Sequence, residues 1–289
     1  MLWHSSLGLS VSINSSLLAT TIIVVSDLHI NSTVGLCKPN IQLDDGGTYK
    51  ASKTQRWLWN CWLDLWDNKA PPYPGEHILI INGDLGELDA KSRSSQIITT
   101  NHSTIQSIVL DTIEPAINWA DKIYIIRGTA AHTGNSAWLE EAIAQDLDNA
   151  IHDDNSASWW HLRAVCEGVR FDIAHHASMG NLPHTSPNAA NKVAFVAQYR
   201  YAVDMRQPPP DVAIRSHNHR YADSGSNYGT FALLTGAWTT ATEYAYRIGQ
   251  ENVFADIAAH AFVCDSGMYK LDNIKYDYPE VRRIWKKTM

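Results

Sequence analysis

Thr21-Ile22-Ile23-Val24-Val25-Ser26-Asp27-Leu28-His29 is the stretch on which the fold turns. Its first six residues, mostly β-branched, read as a strand buried on both faces. The strand ends in a carboxylate and an imidazole two positions apart. The same pattern recurs along the chain. Runs 78–82 (ILIIN), 123–127 (IYIIR), 169–174 (VRFDIA), 212–216 (VAIRS) and 231–235 (FALLT) read as further buried strands. Between them the apolar spacing predicts helices. One covers 53–67, where Leu58, Cys61, Trp62, Leu65 and Trp66 share a face and read as core packing. Another covers 94–118, with Pro115 as a late break, and two more are expected over 136–151 and 188–203. Strand followed by helix, repeated, is the signature of a layered α/β domain.

The chain has 289 residues, 45% of them hydrophobic, enough for a large buried core. With no repeat and no charged linker, it reads as one domain over 1–289. Two segments depart from the alternation: a loop-like insert at about 31–51, containing Asp44-Asp45-Gly46-Gly47, and a C-terminal extension at about 240–289. A loop that long in a compact domain is usually functional or disordered, and the tail over 278–287 is expected to pack along the outside. A net charge of −7 disfavours a protein held to nucleic acid by electrostatics alone, though not a nuclease with a local positive site. No apolar run approaches the ~20 residues of a membrane span. Residues 1–20 are Ser-rich and lack the basic start of a secretory signal. The four cysteines (Cys37, Cys61, Cys166, Cys264) are far apart with no CxxC pair, and form neither a disulfide framework nor a zinc knuckle. A reduced, cytoplasmic protein is the expectation.

The chemistry lies just past the end of each strand. Asp27-Leu28-His29 comes after the first, Gly83-Asp84 after the second, and Gly128, with His132 shortly beyond, after the third. The fourth runs into His175-His176 and the fifth into His217-Asn218-His219. Ligands of α/β sheets sit at the carboxyl ends of strands, so these groups converge on one edge. In extended backbone, residues i and i+2 point the same way, so Asp27 and His29 can hold one ion together, and His217 and His219 the same or an adjacent one. Gly83 lets the backbone approach closely enough for Asp84 to bridge two metals. Mixed carboxylate and imidazole donors suit Mn, Fe or Zn better than Ca or Mg. Two such ions about 3.5–4 Å apart activate water and orient a phosphoryl group. Four positive charges against the two of Asp27 and Asp84 leave the site cationic, which favours a phosphate-ester substrate. A lone DxH or HxH is weak evidence; the ordered set is not.

That ordered set, DxH, GD, a Gly turn with His, H and HxH, resembles the calcineurin-like metallophosphoesterase superfamily over about 21–238. The STVGLCKPN, DDGGTY, QRWLW and RGTAAHTG stretches resemble its virus- and prophage-encoded subset. The resemblance implies a four-layer α/β/β/α sandwich, two mixed β-sheets flanked by helices. It implies two divalent metal ions, with Mn favoured and Fe, Zn or Ni as alternatives. Asp27, His29 and His219 would hold the first and His175 and His217 the second, with Asp84 between; His176 is the alternative if the register slips by one. It also implies a location in the cytoplasm of a bacterium or of a virus-infected host cell.

Two departures stand out. The family's Gly-Asn-His becomes Gly128-Thr129-Ala130-Ala131-His132, so the Asn ligand is missing and the His is displaced by two positions. His132 is placed in the site as second-metal ligand or proton donor, with Asn135 or Thr129 as substitute ligand. Ser216 replaces the usual Gly before HxH. Asn31, Arg127 and Arg220 stand beside these residues as weaker candidates for substrate contact, with turn capping or structural ion pairs as the alternatives. The other histidines (His4, His77, His102, His152, His161, His184, His260) read as surface or core residues.

The expected function is dinuclear metal-dependent hydrolysis of a phosphate mono- or diester by a metal-activated hydroxide. The rivals are a nuclease or end-processing phosphatase on nucleic acid and, from another class, a non-catalytic interaction scaffold on the same fold. An amidohydrolase, whose first strand should end in HxH, ranks last. Substrate, native metal and oligomeric state stay open at this level.

Overall fold

The computed structural model describes residues 19–88, 96–177, 186–242 and 255–279. β1 (Thr20–Val25) leads through a small hairpin, β2 (Asn40–Gln42) and β3 (Thr48–Lys50), into α1 (Lys53–Asp64). β4 (His77–Asn82) is followed by α2 (His102–Trp119), and β5 (Lys122–Ile126) by α3 (Ala130–Thr133) and α4 (Trp138–Asp146). β6 (Leu162–Cys166) and β7 (Val169–His176) form a hairpin, then come α5 (Ser186–Tyr199), β8 (Val212–Ser216), β9 (Ala222–Asp223) and β10 (Phe231–Leu234). A last hairpin pairs β11 (Ile257–Asp265) with β12 (Met268–Tyr276).

The strands make two mixed five-stranded sheets, ordered β12-β11-β1-β4-β5 and β6-β7-β8-β10-β9. In each, three adjacent strands run parallel: β1, β4 and β5 in the first, β7, β8 and β10 in the second. Alternation within the buried strands builds the layers. Ile22, Val24, Ile78 and Ile80 face Phe171, Ile173, Val212 and Ile214 across the sheet–sheet interface. Ile23, Val25, Leu79 and Ile81 point the other way, into a core with Leu58, Trp62, Ile105 and Ile143 from α1, α2 and α4. α5 covers the far side of the second sheet through Ala190, Val193, Ala194 and Ala197. The result is the expected four-layer α/β/β/α sandwich.

All six expected strands form, each within two residues of its predicted ends. The Trp-rich helix is core, as expected: the Trp62 ring lies edge-on to Trp66 at 5.1 Å and to Trp238 at 4.9 Å. Ser52 and Gln55 form a reciprocal capping box at its start. The helix expected over 94–118 begins instead at His102, where the Asn101 side chain accepts from the Thr104 amide, and it runs through Pro115 to Trp119. The helix expected over 136–151 stops at Asp146. The insert is largely packed: Leu36, Cys37 and Ile41 are buried, and the Asp44–Gly47 stretch is a turn in which Asp45 Oδ1 accepts from the Gly47 amide. The larger correction concerns the C-terminal extension. Residues 257–276 supply β11 and β12, and β11 lies directly against β1 over Thr20–Val24. Of the tail, Tyr278 packs on Trp57 and donates to the Ala255 carbonyl; 280–289, like His4 and His184, lie outside the described residues. No helix among the described residues is long and apolar enough to cross a membrane.

Glu140 on α4 is fully buried, and neither carboxylate oxygen reaches a donor at hydrogen-bond geometry, although Thr133 lies beside it. Burial, reinforced by the negative charge of Asp84, pushes its carboxyl up to about 8. Below the ordinary carboxyl value, folded and unfolded chains both hold the proton. As pH rises from there to about 8 only the unfolded chain ionises, and stability is lost through that window. Glu140→Gln is therefore expected to match the parent in urea denaturation near pH 4 and to gain on it by a few kcal/mol at about pH 8.5. A pH-independent difference would show that the carboxyl is not held neutral.

Candidate metal centre

The carboxyl ends of the parallel strands of both sheets meet along one seam, and every residue set singled out after a strand lies there. The backbone makes the delivery possible. Asp27, His29, Asp84, His217 and His219 all have positive φ, between 44° and 73°, in the left-handed region that non-glycine residues rarely occupy. Each such residue costs on the order of 1–3 kcal/mol, held by its surroundings. Here the holding is explicit: the Asp27 and His29 amides donate to the Gly83 and Asp84 carbonyls at 3.0 Å, and the Trp238 amide to the Asp27 carbonyl at 3.0 Å. Gly83 is required, since a Cβ there would collide with the His175 imidazole, and one at Gly128 would collide with Asp84.

Three donor sets result, each with its ligand atoms within 4.8 Å of one another: Asp27, Asp84, His175 and His217; Asp27, His29 and His219; and His29, Glu87 and His132. All six expected metal-ligating residues fall in the first two sets. Asp27, rather than Asp84, is the residue common to both. Its Oδ1 is buried without a hydrogen-bond donor and lies 3.1 Å from His219 Nε2. His175 Nδ1 donates to the Asn82 carbonyl at 2.7 Å, which turns Nε2 toward Asp84 Oδ2, 3.1 Å away. His29 Nδ1 is likewise taken by Glu87 at 2.8 Å, so its Nε2 lone pair faces His219 Nε2 at 3.3 Å. An orphaned buried carboxylate oxygen and two facing imidazole nitrogens are what a cation between them would satisfy, so the residues fit a divalent ion.

Charge inside the seam is finely balanced. Burial would raise Asp27 and Asp84, yet the surrounding imidazoles, His219 for the first and His175 and His217 for the second, hold both below their ordinary value. Burial would lower His175, but its hydrogen bond to Asp84 and the charge of Asp27 lift it to about 9.

The departures find physical accounts. Thr129 occupies the place of the missing Asn: its amide donates to Asp84 Oδ1 at 2.6 Å, and its Oγ1 lies 3.2 Å from both Asp84 Oδ2 and His217 Nδ1. Asn135 is exposed in a short turn beyond. His132 enters through Glu87, whose carboxylate accepts from its Nδ1 at 2.8 Å, and its ring lies edge-on to His29 at 4.7 Å. Sequence reasoning misses Glu87. It lies three residues after Asp84, in a loop with no alternation to betray its direction, and the displaced histidine is the one signal that could point to it. Burial would raise it, but His132 and His29 pull it down to about 2. Ser216 belongs to a buried polar floor under the seam: its Oγ accepts from Asn82 Nδ2 at 2.6 Å and from Thr235 Oγ1 at 2.8 Å, and Thr235 touches Ser26 at 2.7 Å.

Other candidates lie elsewhere. His176 is exposed and belongs to none of the three sets; Arg127 donates to Glu141 and Ser158, and Asn31 is consumed by Glu87 and Thr99 backbone groups. Both Nδ2 hydrogens of Asn31 are thereby used, and Arg127 is held by Glu141, Ser158 and the face of Trp160. Arg220 lies 3.6 Å from Asp256. His77 stacks on Trp119, and His260 is buried between Gly236 and Asn273.

No family model matches the chain, and no curated protein matches it. Solved structures do. A predicted phosphoesterase from Streptococcus pneumoniae is 11% identical with a TM-score of 0.38, covering 91% of this chain and 95% of its own. A purple acid phosphatase from yellow lupin is 13% identical with a TM-score of 0.44, covering 91% of this chain and 52% of its own. A dimetal phosphatase from Danio rerio is 9% identical with a TM-score of 0.38, covering 89% and 99%.

Ser216→Ala is expected to lower stability by about 1–3 kcal/mol, because Asn82 Nδ2 and Thr235 Oγ1 then lose a buried acceptor. Thermal unfolding would show this as a drop of several degrees; an unchanged midpoint would mean the floor is not closed as described.

Proposed function

We propose that the protein is a dinuclear metal-dependent phosphoesterase. The observation that carries this reading is Asp27: one buried carboxylate, with an oxygen no hydrogen bond satisfies, common to two donor sets that each draw on both sheets. In this reading His29 and His219 complete one metal position, and Asp84, His175 and His217 the other, with the Thr129 hydroxyl in reach of the second. Two divalent ions, with Mn favoured on the donor chemistry, would supply Lewis acidity toward phosphoryl oxygens and lower the pKa of water. The chain's own part is positional. Asn82 and Glu87 fix the imidazole tautomers of His175 and His29. His132 stands at the rim, its Nδ1 anchored on Glu87, which raises its proton affinity and leaves Nε2 to protonate a departing alkoxide or phenoxide. The substrate is a phosphate mono- or diester.

Purified protein should hydrolyse bis(p-nitrophenyl) phosphate with added Mn²⁺ and not with chelator. His132→Gln should cut kcat by about 10²–10⁴ while leaving bound metal unchanged. Asp84→Asn should abolish turnover and keep the fold; unchanged turnover in that variant would refute the proposal. Metal analysis supplies a separate check: the parent should bind two Mn²⁺ per chain and Asp27→Ala should lose affinity at both positions, whereas loss at only one would remove Asp27 from its shared role.

A further inference from the structure

Beside the seam, between α5 and the β6–β7 edge of the second sheet, lies a cavity of about 260 Å³. Arg163, Lys192, Arg200 and Arg215 line it, against one carboxylate, Asp172. That carboxylate is already spent: Arg215 donates to its Oδ1 at 2.5 Å and Tyr201 to its Oδ2 at 2.8 Å. Arg163 meets the His161 ring nitrogen and Tyr201, and among the described residues no ion pair joins Arg163, Lys192 or Arg200 to a carboxylate. A protein of net charge −7 thus gathers uncommitted cations in one concavity. Guanidinium and ammonium groups so placed, without an acidic partner, suit a phosphate.

The cavity adjoins the metal centre through His176, which lines it and whose ring lies 5.1 Å from those of both His175 and His217. Lys192 and Val196 on α5 and Arg200 on the π-helical turn that continues it border the cavity, and Phe195 and Tyr199 of α5 are 55% and 52% exposed, their rings stacked at 6.4 Å. Cations alongside exposed aromatic faces are the means by which proteins hold a nucleotide strand, phosphate on one and base on the other.

We propose that this cavity is an anion subsite for a second phosphate of the substrate, next to the scissile one, and that the substrate is therefore a nucleic-acid strand rather than a simple monoester. The proposal rests on the phosphoesterase reading of the seam for its catalytic meaning, but the subsite can be tested apart from it.

The test is hydrolysis of thymidine 5′-(p-nitrophenyl phosphate) against that of its 3′-phosphorylated analogue, with Mn²⁺. The 3′-phosphate should raise kcat/KM by about tenfold or more, the scale of one charge-assisted contact. Lys192→Glu/Arg200→Glu should reduce that ratio to about one, whereas Lys50→Glu/Lys69→Glu, with the same change in net charge on exposed residues elsewhere, should keep it. Calorimetry of thymidine 3′,5′-bisphosphate with chelator-treated protein gives a readout free of turnover, and the α5 variant should weaken it by about tenfold. Phe195→Ala/Tyr199→Ala should weaken the thymidine ligand and not pyrophosphate; equal effects on both would reassign the second phosphate to a non-nucleotide ester. No preference in the parent, or a preference that survives the α5 substitutions or falls equally in the control, would overturn the subsite. If neither ester is hydrolysed but binding falls in the α5 variant, the subsite stands and the phosphoesterase reading fails. If binding is also unmoved, both fail.

Discussion

A carboxylate at the meeting line of two sheets, fully buried and held in left-handed backbone, is the constraint on which the rest of the structure depends. Asp27 cannot stay ionised there alone, since isolating such a charge from water costs far more than any single contact returns. Everything around it compensates. His219 approaches one oxygen, the His217 amide the other at 3.3 Å, and the strand carrying Asp27 is clamped by β4 on one side and β11 on the other. Those residues come from distant parts of the chain, so neutralising one charge brings the two sheets into register.

The absence of the usual asparagine is the feature that most invites a non-catalytic reading. The geometry weakens it. Thr129 presents a backbone donor to Asp84 and a hydroxyl to both Asp84 and His217. The two-residue displacement of His132 is absorbed by the short helix α3, and Glu87, from the loop after β4, reaches across to catch it. A histidine held at the rim by a carboxylate that also orients His29 fits the catalytic reading proposed above better than a scaffold.

Much of this was legible because buried parallel strands announce themselves as β-branched runs, and the residue after each run is where an α/β sheet presents its chemistry. Asp27, Asp84, His175 and His217 were readable on that ground alone. What escaped did so for physical reasons. β11 reads Ile-Ala-Ala-His-Ala-Phe-Val-Cys-Asp, rich in alanine and broken by a histidine, so local propensity does not mark it; its strand character comes from lying beside β1. β12 is an edge strand of half-exposed residues with charges along it. Glu87 and the Ser26–Thr235–Ser216–Asn82 floor depend largely on contacts between residues far apart in the chain, 58 positions for His29 with Glu87 and 209 for Ser26 with Thr235, and nothing in their own neighbourhoods reveals them.

Charge placement ties these levels together. The acidic groups of the seam are sunk below the surface, each answered by an imidazole, while three cations of the neighbouring cavity, Lys192, Arg200 and Arg163, sit on an exposed helical segment and the edge strand β6. An approaching anion therefore meets Lys192, Arg200 and Arg163 before the buried carboxylates, whose field is cancelled at short range by their own partners. Attraction at a distance depends on net local charge, and selection at contact depends on geometry. On the subsite proposed above, separating the two would let an acidic protein draw in a polyanion, the seam holding the phosphate beside the one captured first without recognising the rest of the molecule.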